Sequence, residues 1–82
     1  MSRPGALLTP HPAHVRPGAG GTPEHIDGRA VSAVRESWLV EDRWWTERPL
    51  RRRYWEVVCH DGRNLVVFHD LQGGGWFSQR DR

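Results

Sequence analysis

The feature that most constrains the fold of this chain is a pair of β-branched and aromatic runs separated by an Asp-Gly dipeptide. Residues 54–59 are YWEVVC and residues 64–68 are NLVVF, and both compositions are typical of β-strands. Asp61-Gly62 lies between them, and this dipeptide suits a two-residue type I′ turn. The sequence therefore predicts a β-hairpin at the centre of the fold.

A two-residue turn also fixes which residues of the hairpin face each other. It places Trp55 opposite Phe68 and Arg53 opposite Asp70. Apolar side chains then lie on both faces of the hairpin: Trp55, Val57, Val66 and Phe68 on one, and Val58, Leu65 and Val67 on the other. Both faces need cover, and we expect the remaining tryptophans and the final segment to provide it.

Composition divides the chain near residue 26. Residues 1–26 hold five of the six prolines and four of the nine glycines, whereas every aromatic residue lies between Trp38 and Phe77. A Pro/Gly-rich segment without large apolar side chains cannot bury enough surface to offset its ordering entropy. We therefore expect a disordered N-terminal arm over residues 1–26 and one small Trp-rich β domain over residues 27–82.

Weaker signals extend the domain on both sides of the hairpin. Residues 29–34 are β-branched and favour a strand, although the apolar spacing also fits one face of a helix over residues 30–38. Residues 71–75 predict a turn, and residues 76–79 predict a last short strand. The expected fold is all-β: a small three- to four-stranded antiparallel meander, curled or barrel-like, behind the disordered arm.

Charge, cysteine content and hydropathy exclude several classes of protein. The formal net charge is +2, which is no nucleic-acid-binding balance by itself. The single cysteine, Cys59, cannot form an intramolecular disulfide and is expected to be a buried strand residue. No apolar run approaches the roughly 18 residues of a membrane span, and no secretory signal is visible. We expect a soluble, cytoplasmic protein with no membrane partner.

No catalytic or metal-binding motif is recognisable. The chain lacks the GxSxG, HExxH and CxxC patterns and a phosphate-binding glycine loop. His11, His14 and His25 lie in the arm without a rigid ligand set, so solvated histidines are expected. Cys59 and His60 are adjacent on a predicted strand and would point to opposite faces. We therefore expect no enzyme activity, no cofactor and no metal.

One basic run, Arg51-Arg52-Arg53, stands close to Trp44 and Trp45. Tryptophan and arginine are favoured anchors of protein interfaces. Arginines beside exposed aromatic rings also bind single-stranded nucleic acid by charge and base stacking. A third interpretation is a solvated strand start with the tryptophans in the core. These five residues are the candidate partner-binding residues.

Four features occur in order along the chain: W-x5-WW at residues 38–45, the aromatic strand at 52–58, Asp61-Gly62-Arg63, and Gly75-Trp76-Phe77. Together they resemble the C-terminal segment of ImuB-type proteins, which are catalytically inactive Y-family polymerase homologues of inducible mutagenesis. They also resemble a family of small stand-alone bacterial proteins of unknown function. The similarity covers roughly residues 28–80.

The resemblance implies an accessory, protein-contacting module of translesion synthesis. It does not imply a polymerase, because polymerase palm and finger domains cannot fit in 82 residues. It supplies no functional residue that can be transferred to this sequence. We expect a protein partner, with the mutagenesis polymerase machinery as the one implied, and single-stranded nucleic acid as the alternative.

Overall fold

The computed structural model describes residues 8–42 and 45–81. In chain order its strands are β1 (Leu8–Pro12), β2 (Val15–Pro17), β3 (Pro23–Ile26), β4 (Arg29–Asp42), β5 (Leu50–Cys59), β6 (Asn64–Asp70) and β7 (Trp76–Asp81), with a short 3-10 turn at Ala19–Gly21. They form one antiparallel sheet in the order β1-β7-β6-β5-β4-β3-β2, curled into a half-barrel. The all-β class and the curled sheet are confirmed, but the expected three to four strands are wrong, since the described residues form seven.

The additional strands come from the segment that was expected to be a disordered arm. Residues 8–26 supply β1, β2 and β3, while residues 1–7 lie outside the described residues. The prolines are compatible with strands here because β1 and β2 are the two sheet edges, where a missing N–H costs no ladder bond. Pro23 is the first residue of β3, and Ile26 is only 1% exposed. The burial of Pro23 and Ile26 and the edge positions of the other prolines are thus compatible with strands over residues 8–26.

Strand β4 resolves the choice between strand and helix over residues 30–38. It runs for 14 residues and pairs with β5 along almost its whole length. The pairing is irregular between Val31 and Ala33 and between Val34 and Glu36. From Glu36 to Asp42 every residue has a partner in β5, so the far half of β4 is a regular strand.

The β5–β6 hairpin is present, but its turn differs from the two-residue turn expected. The N–H of Cys59 donates to the carbonyl of Arg63 at 2.8 Å, and the N–H of Gly62 donates to the carbonyl of Cys59 at 2.9 Å. Gly62 has a φ of 91°. This is a three-residue loop with glycine in the left-handed position, which Asp-Gly supports as well as it supports a type I′ turn. The Asp61 carboxylate stabilises it by accepting the Arg63 N–H at 3.0 Å.

One extra loop residue shifts the pairing by one position and exchanges the faces of β6 relative to β5. Trp55 lies opposite Val67, Tyr54 lies opposite Phe68, and Asp70 lies opposite Arg52. The expected pairs of Trp55 with Phe68 and Arg53 with Asp70 are therefore wrong. So is the predicted division of apolar residues between the two faces.

The inner face of the curled sheet carries the core. Its buried members are Ile26, Trp55, Val57, Cys59 and Val67, with Val15, Val31, Leu65 and Trp76 packed against them. The burial expected for Cys59 is confirmed. The outer face carries a row of rings across β4 to β7, in the order Trp38, Tyr54, Phe68 and Phe77, with neighbouring centroids 5.0–5.3 Å apart. The two central rings, Tyr54 and Phe68, are also buried, so the outer face contributes to the core. The two faces thus use different apolar sets, as adjacent residues of a strand must.

Candidate functional site

The structure does not bring the three arginines of the basic run to one surface. Arg51, Arg52 and Arg53 are consecutive in β5, so their side chains alternate between the faces of the sheet. Arg52 lies on the outer face opposite Asp70. Arg51 and Arg53 lie on the inner face, where Arg53 is opposite His69.

Arg52 is held by the outer aromatic row. Its guanidinium carbon lies 4.4 Å from the centroid of Phe68, and Nη1 donates to the Tyr54 hydroxyl at 3.3 Å. Its Nε is buried without a hydrogen-bond partner among the described residues. The pKa of Asp70 is lowered, first by the N–H of Gly73, with the charge of Arg52 as a smaller cause. These contacts give Arg52 a packing role rather than an open binding role.

Arg53 belongs to a row on the inner face. Leu39, Arg53, His69 and Trp76 are direct neighbours across β4, β5, β6 and β7. The imidazole of His69 stacks on the indole of Trp76, with centroids 4.6 Å apart and planes within 5°. This row could not be derived from the sequence, because the sequence predicts a β5–β6 register that differs by one residue from the observed register.

Three members of this row, Leu39, Arg53 and His69, border a cavity of about 360 Å³, named here the inner-face hollow. Its side chains are Leu39, Arg51, Arg53, Trp55, His69 and Leu71, and Gly20-Gly21 of the 3-10 turn closes one side. Nε of Arg51 lies 2.9 Å from a carboxylate oxygen of Glu41. Arg53 has no ion pair or hydrogen bond with the other described side chains.

Of the two candidate tryptophans, Trp45 lies at the start of the loop between β4 and β5 and is 65% exposed. Trp44 lies outside the described residues. Trp38, which sequence analysis assigned to covering the hairpin, is 37% exposed and stacks on Tyr54 at 5.3 Å with planes within 3°. Two tryptophans therefore present substantial indole surface at one end of the sheet.

A feature that sequence analysis missed is the open edge of β4. Strand β3 pairs with β4 only at Arg29 and Ala30. Beyond Ala30, no other strand in the described ranges lies against that side of β4. Leu39 is 44% exposed here, close to the exposed Trp38. We name residues 36–41 the β4 edge, and their outward N–H and C=O groups are available to another chain.

Acidic side chains lie on and beside the β4 edge. Glu36 lies directly opposite Glu56 on the outer face, and like charges in this arrangement are destabilising. Neither carboxylate forms an ion pair with a cation among the described residues. The edge therefore combines apolar side chains with a negative charge that a basic partner could neutralise.

Features that would indicate a reactive cysteine or a metal site are weak among the described residues. Cys59 is 1% exposed, and burial raises the pKa of its thiol, with the Asp61 charge as a second cause; a reactive cysteine needs the opposite environment. The described residues contain no group of three or more His, Cys, Asp or Glu side chains suited to a metal ion. Within the same ranges, no helix has the length and apolarity needed to cross a membrane.

The chain was compared with protein-family models, with curated proteins and with solved structures, and no match was found. The candidate sites are therefore identified from geometry, and the described residues offer two. One is the β4 edge, and the other is the inner-face hollow, which holds Arg51 and Arg53 from the predicted set.

Proposed function

We propose that this chain is a non-catalytic protein-interaction module that binds an extended polypeptide segment along the β4 edge. The observation that carries the proposal is the six-residue run from Glu36 to Glu41, paired to β5 on one side and to no described strand on the other. Such an edge is a template for strand addition. Main-chain hydrogen bonds then supply affinity, and alternate side chains supply specificity.

Side chains at the β4 edge suit this mode of binding. Trp38 and Val40 lie on the outer face, and Leu39 lies on the inner face between them. An added strand would place its own alternating side chains beside both sets. The stack of Trp38 on Tyr54 fixes the indole before binding, so little conformational entropy is lost when the partner docks.

The charges define the chemistry of the partner. A residue of the added strand that lies opposite Glu36 meets the field of both Glu36 and Glu56. Lysine or arginine at that position relieves their repulsion and sets the register, whereas an acidic residue is rejected. The partner segment is therefore extended, apolar where it faces Trp38 and Leu39, and basic where it faces Glu36.

The biological setting is supported by the sequence resemblance. The likeness of roughly residues 28–80 to the C-terminal segment of ImuB-type proteins supports an accessory role in DNA-damage tolerance, with the mutagenesis polymerase machinery as the partner. The single buried cysteine is compatible with the reducing cytoplasm, which is the compartment we propose.

The test uses a matched pair of variants, Leu39→Lys and Leu71→Lys. Both leucines border the inner-face hollow and they are 44% and 40% exposed, so the same substitution has a similar cost at either site. Only Leu39 lies on the β4 edge. The tagged wild type and both variants are used to capture partners from DNA-damaged cells of the source organism, followed by mass spectrometry.

We expect the wild type and Leu71→Lys to capture a component of the mutagenesis polymerase machinery and Leu39→Lys to lose it. Binding is then reconstituted with the purified component and its basic extended segment. Equal capture by Leu39→Lys and Leu71→Lys would show that the β4 edge is not the docking site. Failure of the wild type to bind any polymerase component would refute the proposed partner.

A further inference from the structure

We propose that the inner-face hollow is a second binding site, which adjoins the β4 edge at Leu39, and that its ligand is a nucleotide unit: a phosphate joined to a flat base. The volume of about 360 Å³ falls within the range of roughly 300–1,000 Å³ found for small-molecule sites. The hollow brings together cationic groups, stacked rings and apolar walls, and each of these matches one part of a nucleotide.

The phosphate would be held by Arg53. Arg51 and Arg53 both line the hollow, but Arg51 already shares its charge with Glu41 at 2.9 Å. Arg53 has no carboxylate partner among the described residues. A guanidinium presents a planar fork of N–H donors that binds phosphate oxygens in pairs. The hollow thus holds one uncompensated cation of the type that recognises phosphate.

The base would be held by stacking. His69 lies beside Arg53 in the cross-strand row, and one face of its ring is already stacked on Trp76. His69 also borders the hollow, so a base placed there extends an existing stack of two rings. Bases stack on aromatic side chains without regard to sequence, because every base has a π-face.

Apolar walls and an open turn complete the fit. Leu39 and Leu71 border the hollow with aliphatic surface, which a bare inorganic anion would not use. Gly20 and Gly21 have φ values of 72° and 82°, and nothing lies within 4 Å of where a Cβ would stand on either. The turn therefore leaves room for a ligand to approach the backbone.

A larger hollow of about 520 Å³ lies between β2, β3 and Trp76, but its chemistry is less favourable. Its arginine, Arg16, is already in contact with His25, with Nη2 2.9 Å from Nδ1. Arg52, which sequence analysis grouped with Arg51 and Arg53, lies on the other face of the sheet. The site therefore uses only part of the basic run.

The experiment titrates the full chain with adenosine 5′-monophosphate, adenosine, inorganic phosphate and a ten-residue oligodeoxyadenylate at low salt, followed by NMR shifts. Arg53→Ser is compared with Arg63→Ser, a matched charge removal at an exposed residue of the β5–β6 loop. We expect the monophosphate to bind the wild type and Arg63→Ser equally and Arg53→Ser at least tenfold more weakly. Adenosine or phosphate alone should bind at least tenfold more weakly than the monophosphate.

Shifts centred on the imidazole of His69 and the indole of Trp55, which both line the hollow, would place the ligand there, whereas shifts centred on Arg16 and His25 would place it in the larger hollow. The oligonucleotide identifies the source of the nucleotide: tighter binding per site than the free monophosphate indicates a single strand, and equal or weaker binding indicates a free nucleotide. For a strand, Arg53→Ser should reduce the log–log salt slope by about 0.7. The site is refuted if nothing binds at low salt, if Arg53→Ser and Arg63→Ser behave alike, or if phosphate alone binds as well as the monophosphate.

Discussion

Replacing Trp55 with alanine should remove a third or more of the stability of this domain, at about 4 of 4–12 kcal/mol. The indole is 7% exposed, belongs to the buried cluster, and lies 5.2 Å from the Trp76 ring. A buried tryptophan hides about 200 Å², which corresponds to about 5 kcal/mol at roughly 25 cal/mol per Å². Alanine keeps part of this area, and measured costs of such truncations are about 3–5 kcal/mol. We therefore expect a loss of about 4 kcal/mol.

That loss is large relative to the total. At about 0.05–0.15 kcal/mol per residue, a chain of 82 residues has an unfolding free energy of about 4–12 kcal/mol. Urea unfolding followed by far-UV circular dichroism measures the change. With a slope of about 1–2 kcal/mol per molar, the midpoint should fall by about 2–4 M.

Trp55→Phe is the control, because it keeps a ring beside Trp76 and should lose clearly less than Trp55→Ala. A Trp55→Ala protein that unfolds cooperatively with the wild-type midpoint would refute the placement of Trp55 in the core. Equal losses in the two variants would refute the argument from buried area.

Three further predictions concern the loop, the N-terminal strands and pH. Gly62→Ala should lower the free energy of unfolding by about 1–2 kcal/mol, because Gly62 has a φ of 91°. Gly62→Asn should lower it less, and equal unfolding midpoints for the two variants would contradict the left-handed loop. Deleting residues 1–26 removes the buried Ile26 and should lower the thermal midpoint by at least about 8 °C, whereas a disordered arm would leave it unchanged. The pKa of Asp70 is lowered below its usual 3.8 in the folded state. The stability contributed by its carboxylate is therefore fully present above pH 3.8 and is lost as the pH falls through the folded pKa. Thermal unfolding between pH 6 and 2, at about unit steps, should show a smaller acid-induced loss in Asp70→Asn than in the wild type, and identical profiles would show that Asp70 has no such role.

The hairpin shows how far local sequence chemistry determines this fold. Residue composition predicts both strands and the Asp-Gly turn between them, and all three are present. The register could not be derived, because Asp-Gly fits a two-residue turn and a three-residue loop equally well. Contacts from outside the hairpin accompany the three-residue loop, among them the bond from Nε of Arg29 to the Asp61 carboxylate at 3.1 Å, and the hairpin sequence alone does not contain them.

Tertiary contacts also determine the conformation of the N-terminal segment. Its proline and glycine content predicts disorder when the segment is considered alone. In the sheet, β1 and β2 take the two edges, where proline is tolerated. Ile26 contributes to a core built mainly by β5 and β6. No local sequence pattern in residues 8–26 predicts these positions in the sheet.

Candidate binding residues were partly predictable. Composition predicts candidate arginines and indoles near the start of β5, and the structure leaves Trp45 65% exposed. Strand alternation then separates Arg52 from Arg51 and Arg53, which follows once residues 50–59 are accepted as a strand. The β4 edge could not be predicted, because a strand becomes an edge only through the absence of a neighbour, and neighbours are set by topology.

The proposed docking site requires that the outward side of β4 is open over residues 36–41 and can pair with another polypeptide. Amide hydrogen exchange of the free protein, resolved by residue with NMR, tests it most directly. In an antiparallel edge strand every second N–H bonds to the neighbouring strand, and the intervening groups face outward. We therefore expect alternating slow and fast exchange from Glu36 to Glu41, beside continuous protection in the central part of β5. Continuous protection of residues 36–41 would show that this edge is already covered and would contradict the proposed docking site.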